Sequence, residues 1–185
     1  MRILVLYGTT DSQTAKIANA IAATLRSQGA SADVANAADD GPAPNADDYT
    51  AVIVAASVHA SGYQRTVVRW VRANLHGLGT KPTAFVSVCL GVLQHDPKVD
   101  RDLAAIRAHF FAETEWKPAT FKVVAGALPY TRYNWIKRRL MRRIARKAGG
   151  DTDITRDFEY TDWIDLAAFA REFFERVRGT AEVAS

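Results

Sequence analysis

Directly after the apolar run Ile3 to Tyr7 stand Gly8-Thr9-Thr10-Asp11-Ser12-Gln13-Thr14, and directly after these a segment of helical period begins. The order of strand, hydroxyl-rich turn and helix has a chemical meaning. A helix N-terminus presents unpaired N–H groups and the positive end of its dipole, and the Thr and Ser hydroxyls add donors, so the turn suits a phosphate monoester. It has neither the lysine of a Walker loop nor the glycine triplet of a dinucleotide fold, which favours an FMN-type terminal phosphate over ATP or NAD. A ligand-free reading exists beside this one: Thr10, with Gln13 three residues on, makes a capping box.

Two further loops favour the ligand. In parallel α/β sheets small molecules bind beyond the carboxyl ends of the strands. Here the third apolar run is followed by Ser57-Val58-His59-Ala60-Ser61-Gly62-Tyr63, and the fourth, ending at Val88, by Cys89-Leu90-Gly91. Both could edge a flat ring with backbone groups. His59 stands where it could polarise that ring or take a substrate proton, the plainer alternative being a solvated loop histidine. His59, His76, His95 and His109 show no ligand spacing, so no metal site is expected. Cys89 is the single cysteine, which excludes an intrachain disulfide, fits a reducing compartment and reads as a buried, inert thiol. No Ser-His-Asp set or carboxylate pair is evident, and none is needed where a flavin carries the chemistry.

The net charge of +4 is unevenly placed. Lys137, Arg138, Arg139, Arg142, Arg143, Arg146 and Lys147 are seven of the 24 basic residues and have no acid among them; without them 17 basic residues face 20 acidic ones, a balance of −3. The basicity therefore belongs to one segment. There Trp135, Ile136, Leu140, Ile144 and Ala148 share a helical stripe, with Lys and Arg around the rest of the cylinder, the profile of a helix lying in a membrane interface. A helix packed on the sheet by that stripe and solvated elsewhere would look the same. No nucleic-acid-reading motif accompanies the tract, and no nucleic-acid partner is expected.

The elements that must position these groups follow from periodicity. Apolar runs at Ile3 to Tyr7, Ala51 to Ala56, Ala84 to Val88 and Phe121 to Ala127, with a weaker one near Ala32 to Ala35, predict five strands. Four helices are predicted between and after them. Their faces are Ile17, Ala18, Ile21, Ala22 and Leu25, closed by Gly29; Val67, Trp70, Val71 and Leu75; Leu103, Ile106 and Phe110; and Trp163, Leu166, Ala167, Ala170, Phe173 and Val177. Trp163 and the phenylalanines of the last helix read as core. Strands alternating with helices predict a doubly wound α/β fold with a parallel sheet. One domain over 1–178 is expected, with an inserted segment over 128–159 and a C-terminal tail at 179–185. No run approaches the roughly 20 apolar residues of a spanning helix, and the N-terminus lacks a secretory pattern, so a cytoplasmic protein is expected.

At these loops, and most densely from Trp116 to Arg171, the chain resembles the flavodoxin superfamily and, within it, the bacterial quinone-dependent protoporphyrinogen IX dehydrogenases. The resemblance runs almost end to end. It is carried by Trp116-Lys117-Pro118, Ala125-Gly126-Ala127-Leu128, Tyr130, Arg132-Tyr133, Trp135, Gly149-Gly150, Thr152-Asp153 and Tyr160-Thr161-Asp162-Trp163. It implies the flavodoxin-like strand order 2-1-3-4-5 and an FMN enzyme that oxidises protoporphyrinogen IX to protoporphyrin IX, a late step of haem synthesis, with electrons passed to a membrane quinone. Thr9, Thr10, Asp11, Ser12, Gln13 and Thr14 would then hold the phosphate. Ser57, Val58, His59, Ala60, Val88, Cys89, Leu90 and Gly91 would line the isoalloxazine. Tyr130, Arg132, Tyr133, Trp135, Lys137, Arg138, Arg139, Arg142 and Arg143 would meet substrate or an anionic membrane at its inner face, with Arg132, Lys137 or Arg138 pairing with propionates. Ser12 stands where the family usually has glycine, and His59-Ala60-Ser61 and Cys89-Leu90-Gly91 also depart from it. Competing readings are another flavodoxin-like quinone or small-molecule reductase, an electron-carrier flavodoxin, and a membrane-binding module without FMN. Association with further copies of the chain is left open.

Overall fold

A computed structural model describes residues 1–10, 12–59, 62–147 and 151–183, and of Arg132, Lys137, Leu140, Ile144, Lys147, Ala181 and Val183 only the backbone. Five parallel strands, β1 (Arg2–Gly8), β2 (Ser31–Asn36), β3 (Ala51–Ser57), β4 (Thr83–Val88) and β5 (Thr120–Val124), form one sheet in the order 2-1-3-4-5. That is the flavodoxin-like order expected from the sequence. Its inner strands β1, β3 and β4 are near-continuous buried runs because both faces are covered. Side chains alternate between the two cores. Ile3, Val5, Ile53, Ala55, Ala84 and Val86 pack under α1 (Gln13–Ser27) and α6 (Trp163–Val183), while Leu4, Leu6, Val52, Val54 and Phe85 pack under α2 (Arg65–Ala73) and α4 (Pro97–Thr114). A short helix, α3 (Leu75–Gly79), links α2 to β4. α1 buries the predicted stripe from Ile17 to Leu25, and Gly29 takes the positive φ of +93° that a helix stop of this kind requires.

The stretch from Leu128 to Glu159 departs from the plain pattern. The run expected as one strand, Phe121 to Ala127, divides: β5 ends at Val124, and Ala127–Leu128 form β6, which pairs antiparallel with β7 (Phe158–Glu159). Gly126 separates the two pieces and lets the chain leave the sheet. Between β6 and β7 lies α5 (Trp135–Lys147). It packs on a small core of Leu128, Tyr130, Tyr133 and Ala145, joined by Leu90, Met141, Phe158 and Tyr160. Tyr130 is fully buried, its hydroxyl donating to the carbonyl of Asp151 at 2.9 Å, while the hydroxyl of Tyr160 donates to Asp151 Oδ2 at 2.9 Å.

Several expectations are corrected. The alternative in which α5 packs by its apolar stripe does not hold at the start of the helix, where Trp135 and Ile136 are 73% and 60% exposed; Met141 and Ala145 face inward, toward the aromatic cluster. Ala148 of the expected stripe, with Gly149 and Gly150, lies outside the described residues. Trp163 is 39% exposed rather than core, since it opens α6 ahead of the buried stripe Leu166, Ala170 and Phe173. α6 continues to Val183, where the sequence reading begins a tail at 179. Among the described residues no helix is long and apolar enough to cross a membrane.

Candidate active site

The strand order reverses between β1 and β3, so the helices after these strands lie on opposite faces and leave a crevice at the carboxyl edge. The sheet bonding continues past the strand ends and sets the loops side by side: Val58 N–H donates to Val88 O at 2.9 Å and Cys89 N–H to Val124 O at 3.0 Å. The loops after β1, β3 and β4 and the inserted segment then enclose one cleft of about 270 Å³. Thr9, Thr10, Gln13 and Thr14 line it from the turn after β1, Ser57, Val58 and His59 from the loop after β3, and Val88, Cys89, Leu90 and Gly91 from the loop after β4. Tyr133 and Met141 close it from the insertion.

Within the phosphate turn the capping box is absent. Ser12 is the N-cap of α1 and makes no side-chain cap bond; it sits at φ +67°, ψ −9°, left-handed backbone that favours glycine. Ser12 faces a neighbouring recess with Lys16, Pro129 and Glu159 rather than the cleft. The Gln13 side chain does not reach back to Thr10 but donates to Thr161 Oγ1 at 2.9 Å, and that hydroxyl donates to Ala125 O at 2.8 Å. The first turn of α1 is thereby fastened to the exit of the insertion. A second fastening is Lys16 Nζ to Glu159 Oε2 at 2.9 Å. Burial alone would raise the Glu159 pKa, but hydrogen bonds from Lys16 and Gln13 outweigh it and hold the carboxyl below its ordinary range.

Thr14 carries the clearest ligand signal. It is 1% exposed, lines the cleft, and its hydroxyl has no hydrogen-bond partner among the described residues. A buried hydroxyl left unpaired costs about 1–3 kcal/mol, so such a group calls for an acceptor in the cleft. A phosphate oxygen placed against the α1 N-terminus would supply it, and the residues present therefore fit an FMN phosphate. Ser57 fits in the same way: Gln64 Nε2 donates to its Oγ at 2.6 Å, which leaves the Ser57 hydroxyl proton free to point at a ligand. Val58, Val88 and Leu90 provide the apolar edges that a ring system needs. Cys89 is buried at this wall, and burial pushes its thiol pKa up despite N–H bonds from Val92 and Gly91, as expected of an inert thiol. His59 is exposed at the mouth, its backbone paired both ways with Gly62 at 2.8 and 2.9 Å.

Not every expected residue joins the cleft. Asp11 and Ala60 lie outside the described residues, as do the side chains of Arg132 and Lys137. Tyr130 is interior to the insertion and meets no ligand surface. Arg138 does not line the cleft: its Nε donates to Tyr130 O at 2.9 Å and its Nη2 to Tyr133 O at 3.1 Å, closing the turn before α5. Together with Trp135, Arg139, Arg142 and Arg143 it lines a separate groove with Ile136, Arg146 and Ile154, apart from the cleft that Met141 closes. The cleft also uses Leu103, Gly126, Ala127 and Met141, which pattern reasoning passed over. Only the Ala125-Gly126-Ala127 match hinted at two of them.

Residues 4–155 match the Flavodoxin domain family. The chain is 34% identical over 172 residues to the protoporphyrinogen IX dehydrogenase (quinone) of Escherichia coli K12, covering 93% of this chain and 94% of the relative. It is 33% identical over 176 residues to the protein of that name from Leishmania major, covering 93% of this chain and 74% of the relative. Among solved structures, oxidised flavodoxin 1 from Bacillus cereus superposes with a TM-score of 0.54 at 14% identity, over 95% of this chain and 98% of that one, a likeness of fold.

Proposed function

The chain belongs to the Flavodoxin domain family, in the branch of the protoporphyrinogen IX dehydrogenases, and on that premise we propose that it binds FMN in the cleft and oxidises protoporphyrinogen IX to protoporphyrin IX, with a quinone as electron acceptor. The observation that carries this reading is the convergence of three strand-end loops on one cleft with an unpaired Thr14 hydroxyl at its phosphate end.

When bound, FMN would supply a two-electron acceptor, reoxidised by quinone and used three times over for the six electrons and six protons that protoporphyrinogen IX loses, chemistry that no side chain of the protein provides. The protein's share is binding and orientation. Thr9, Thr10 and Thr14, with the N–H groups opening α1, hold the phosphate. Ser57, kept in register by Gln64, donates into the middle of the cleft. Val58, Val88 and Leu90 flank the ring, while Tyr133 and Met141 shield it from water on the insertion side. His59, exposed at the mouth, is placed to accept a proton released by the substrate.

The outward face of α5 supports a finer reading, peripheral contact with an anionic membrane on the cytoplasmic side. Arg139, Arg142, Arg143 and Arg146 are exposed along it, and Trp135 and Ile136 stand out at its start. Aromatic and aliphatic side chains beside arginines suit a headgroup boundary, where porphyrinogen and quinone both concentrate. Replacing the four arginines by serine is expected to abolish sedimentation with anionic liposomes; unchanged sedimentation would reject this contact. The central test is anaerobic: protoporphyrinogen IX should bleach the bound flavin, and protoporphyrin fluorescence should then grow with a menaquinone analogue. A flavin that protoporphyrinogen leaves oxidised would overturn the assignment.

A further inference from the structure

Beside the cleft, and sharing His59 with it, lies a second cavity of about 310 Å³ between α2 and α4. Its floor is carbon. Tyr63 and Phe110 meet edge to face with ring centroids 5.0 Å apart, and both are buried together with Val68. The Tyr63 hydroxyl is engaged with Ser87 Oγ at 2.8 Å in the interior, leaving the ring to face the cavity. The rim is polar and balanced in charge. Arg65 Nη1 pairs with Glu113 Oε1 at 2.7 Å, tying α2 to α4, and the exposed imidazoles of His59 and His109 complete it.

We propose that this cavity is the head-group site of the quinone. The inference rests on the reading that a quinone is the electron acceptor, and it assigns that acceptor a place. A quinone head group is a flat, uncharged ring with carbonyl oxygens that accept hydrogen bonds and donate none. It needs an apolar and aromatic floor, N–H donors at the edge and no excess charge, which are the properties of this cavity. The chemistry disfavours the other ligands of the reaction. A tetrapyrrole with propionates calls for net positive charge, and here Glu113 neutralises Arg65. A phosphate calls for a nest of N–H groups, which belongs to the turn after β1. Sharing His59 with the cleft sets the acceptor next to the cofactor.

The test uses the FMN-loaded full chain and menadione as a soluble naphthoquinone probe. Titration should shift the side-chain NMR signals of His59 and His109 and leave that of His76, on α3, in place. His109→Leu removes one donor from an exposed position and should weaken menadione binding about five- to tenfold, the worth of one neutral hydrogen bond. Ile106→Trp, which fills the cavity, should abolish binding. FMN affinity, measured in both variants, reports that the fold is intact, and His109→Leu keeps the test open should the tryptophan variant not fold. Wild-type protein that neither binds nor reduces menadione would remove the quinone reading itself. Wild-type binding and reduction that survive both substitutions unchanged would overturn the pocket while leaving that reading in force.

Discussion

Thr14→Val exchanges one hydroxyl for a methyl at nearly constant shape, and it should move apoprotein and holoprotein in opposite directions. Thr14 is 1% exposed, and its hydroxyl is unpaired among the described residues. Leaving such a group unmade costs about 1–3 kcal/mol, so the valine variant should be more stable by about 1 kcal/mol. For a chain of 185 residues that is a rise of about 2–4 °C in Tm. With FMN bound, the same hydroxyl donates to a charged phosphate, a bond worth about 1.5–3 kcal/mol, and its loss should raise the FMN Kd about 10- to 100-fold. Flavin fluorescence titration reads the second effect and melting with and without FMN reads the first. The two melting curves of the variant should therefore lie closer together than those of the wild type. An apoprotein destabilised by the substitution, with FMN affinity unchanged, would mean that the hydroxyl has a partner within the protein and takes no part in the phosphate site.

Ser12→Gly should stabilise the protein by up to about 1 kcal/mol in urea unfolding, because glycine relieves the left-handed backbone at φ +67° while adding entropy to the unfolded chain; a loss of stability would show that the hydroxyl makes a compensating bond. Gly8→Ala should destabilise by about 1–3 kcal/mol, since the new Cβ would run into the Val67 methyl and lie 3.2 Å from Gln64 Oε1, with Val67 itself fully buried. Glu159 titrates lower in the folded than in the unfolded chain, where its ordinary value is near 4.5. Its contribution is therefore complete above that value and is lost as pH falls through the folded pKa, so Glu159→Gln should flatten the decline of Tm on acidification below about pH 5. An unaltered decline would place the acid sensitivity elsewhere.

How much was legible differs by level. Periodicity revealed all five strands of the main sheet and the stripes of α1, α2 and α6, because a strand buried on both faces and a helix buried on one each impose their period on the residues themselves. Local order also exposed the phosphate turn, since strand, hydroxyls and helix are contiguous. Partners distant in sequence were not legible. Nothing local says that Gln13 bonds Thr161 across 148 positions, or that Arg138 closes its own turn on Tyr130 and Tyr133. The basic helix is instructive: composition located its arginines, yet which face turned inward depended on where the aromatic cluster of Tyr130, Tyr133 and Phe158 stood.

What the sequence by itself determined is the kind of fold and the site's first wall: apolar runs that demand a parallel sheet, and a donor-rich turn at a helix start. What tertiary structure alone decided is which atoms face a ligand. Met141 and Gly126 line the cleft, Thr14 is left without a partner and Tyr130 is withdrawn into the interior. The physical reason is that backbone periodicity is a property of neighbours along the chain, whereas burial and hydrogen-bond partnership are properties of neighbours in space, set only once the strand ends and the insertion have met.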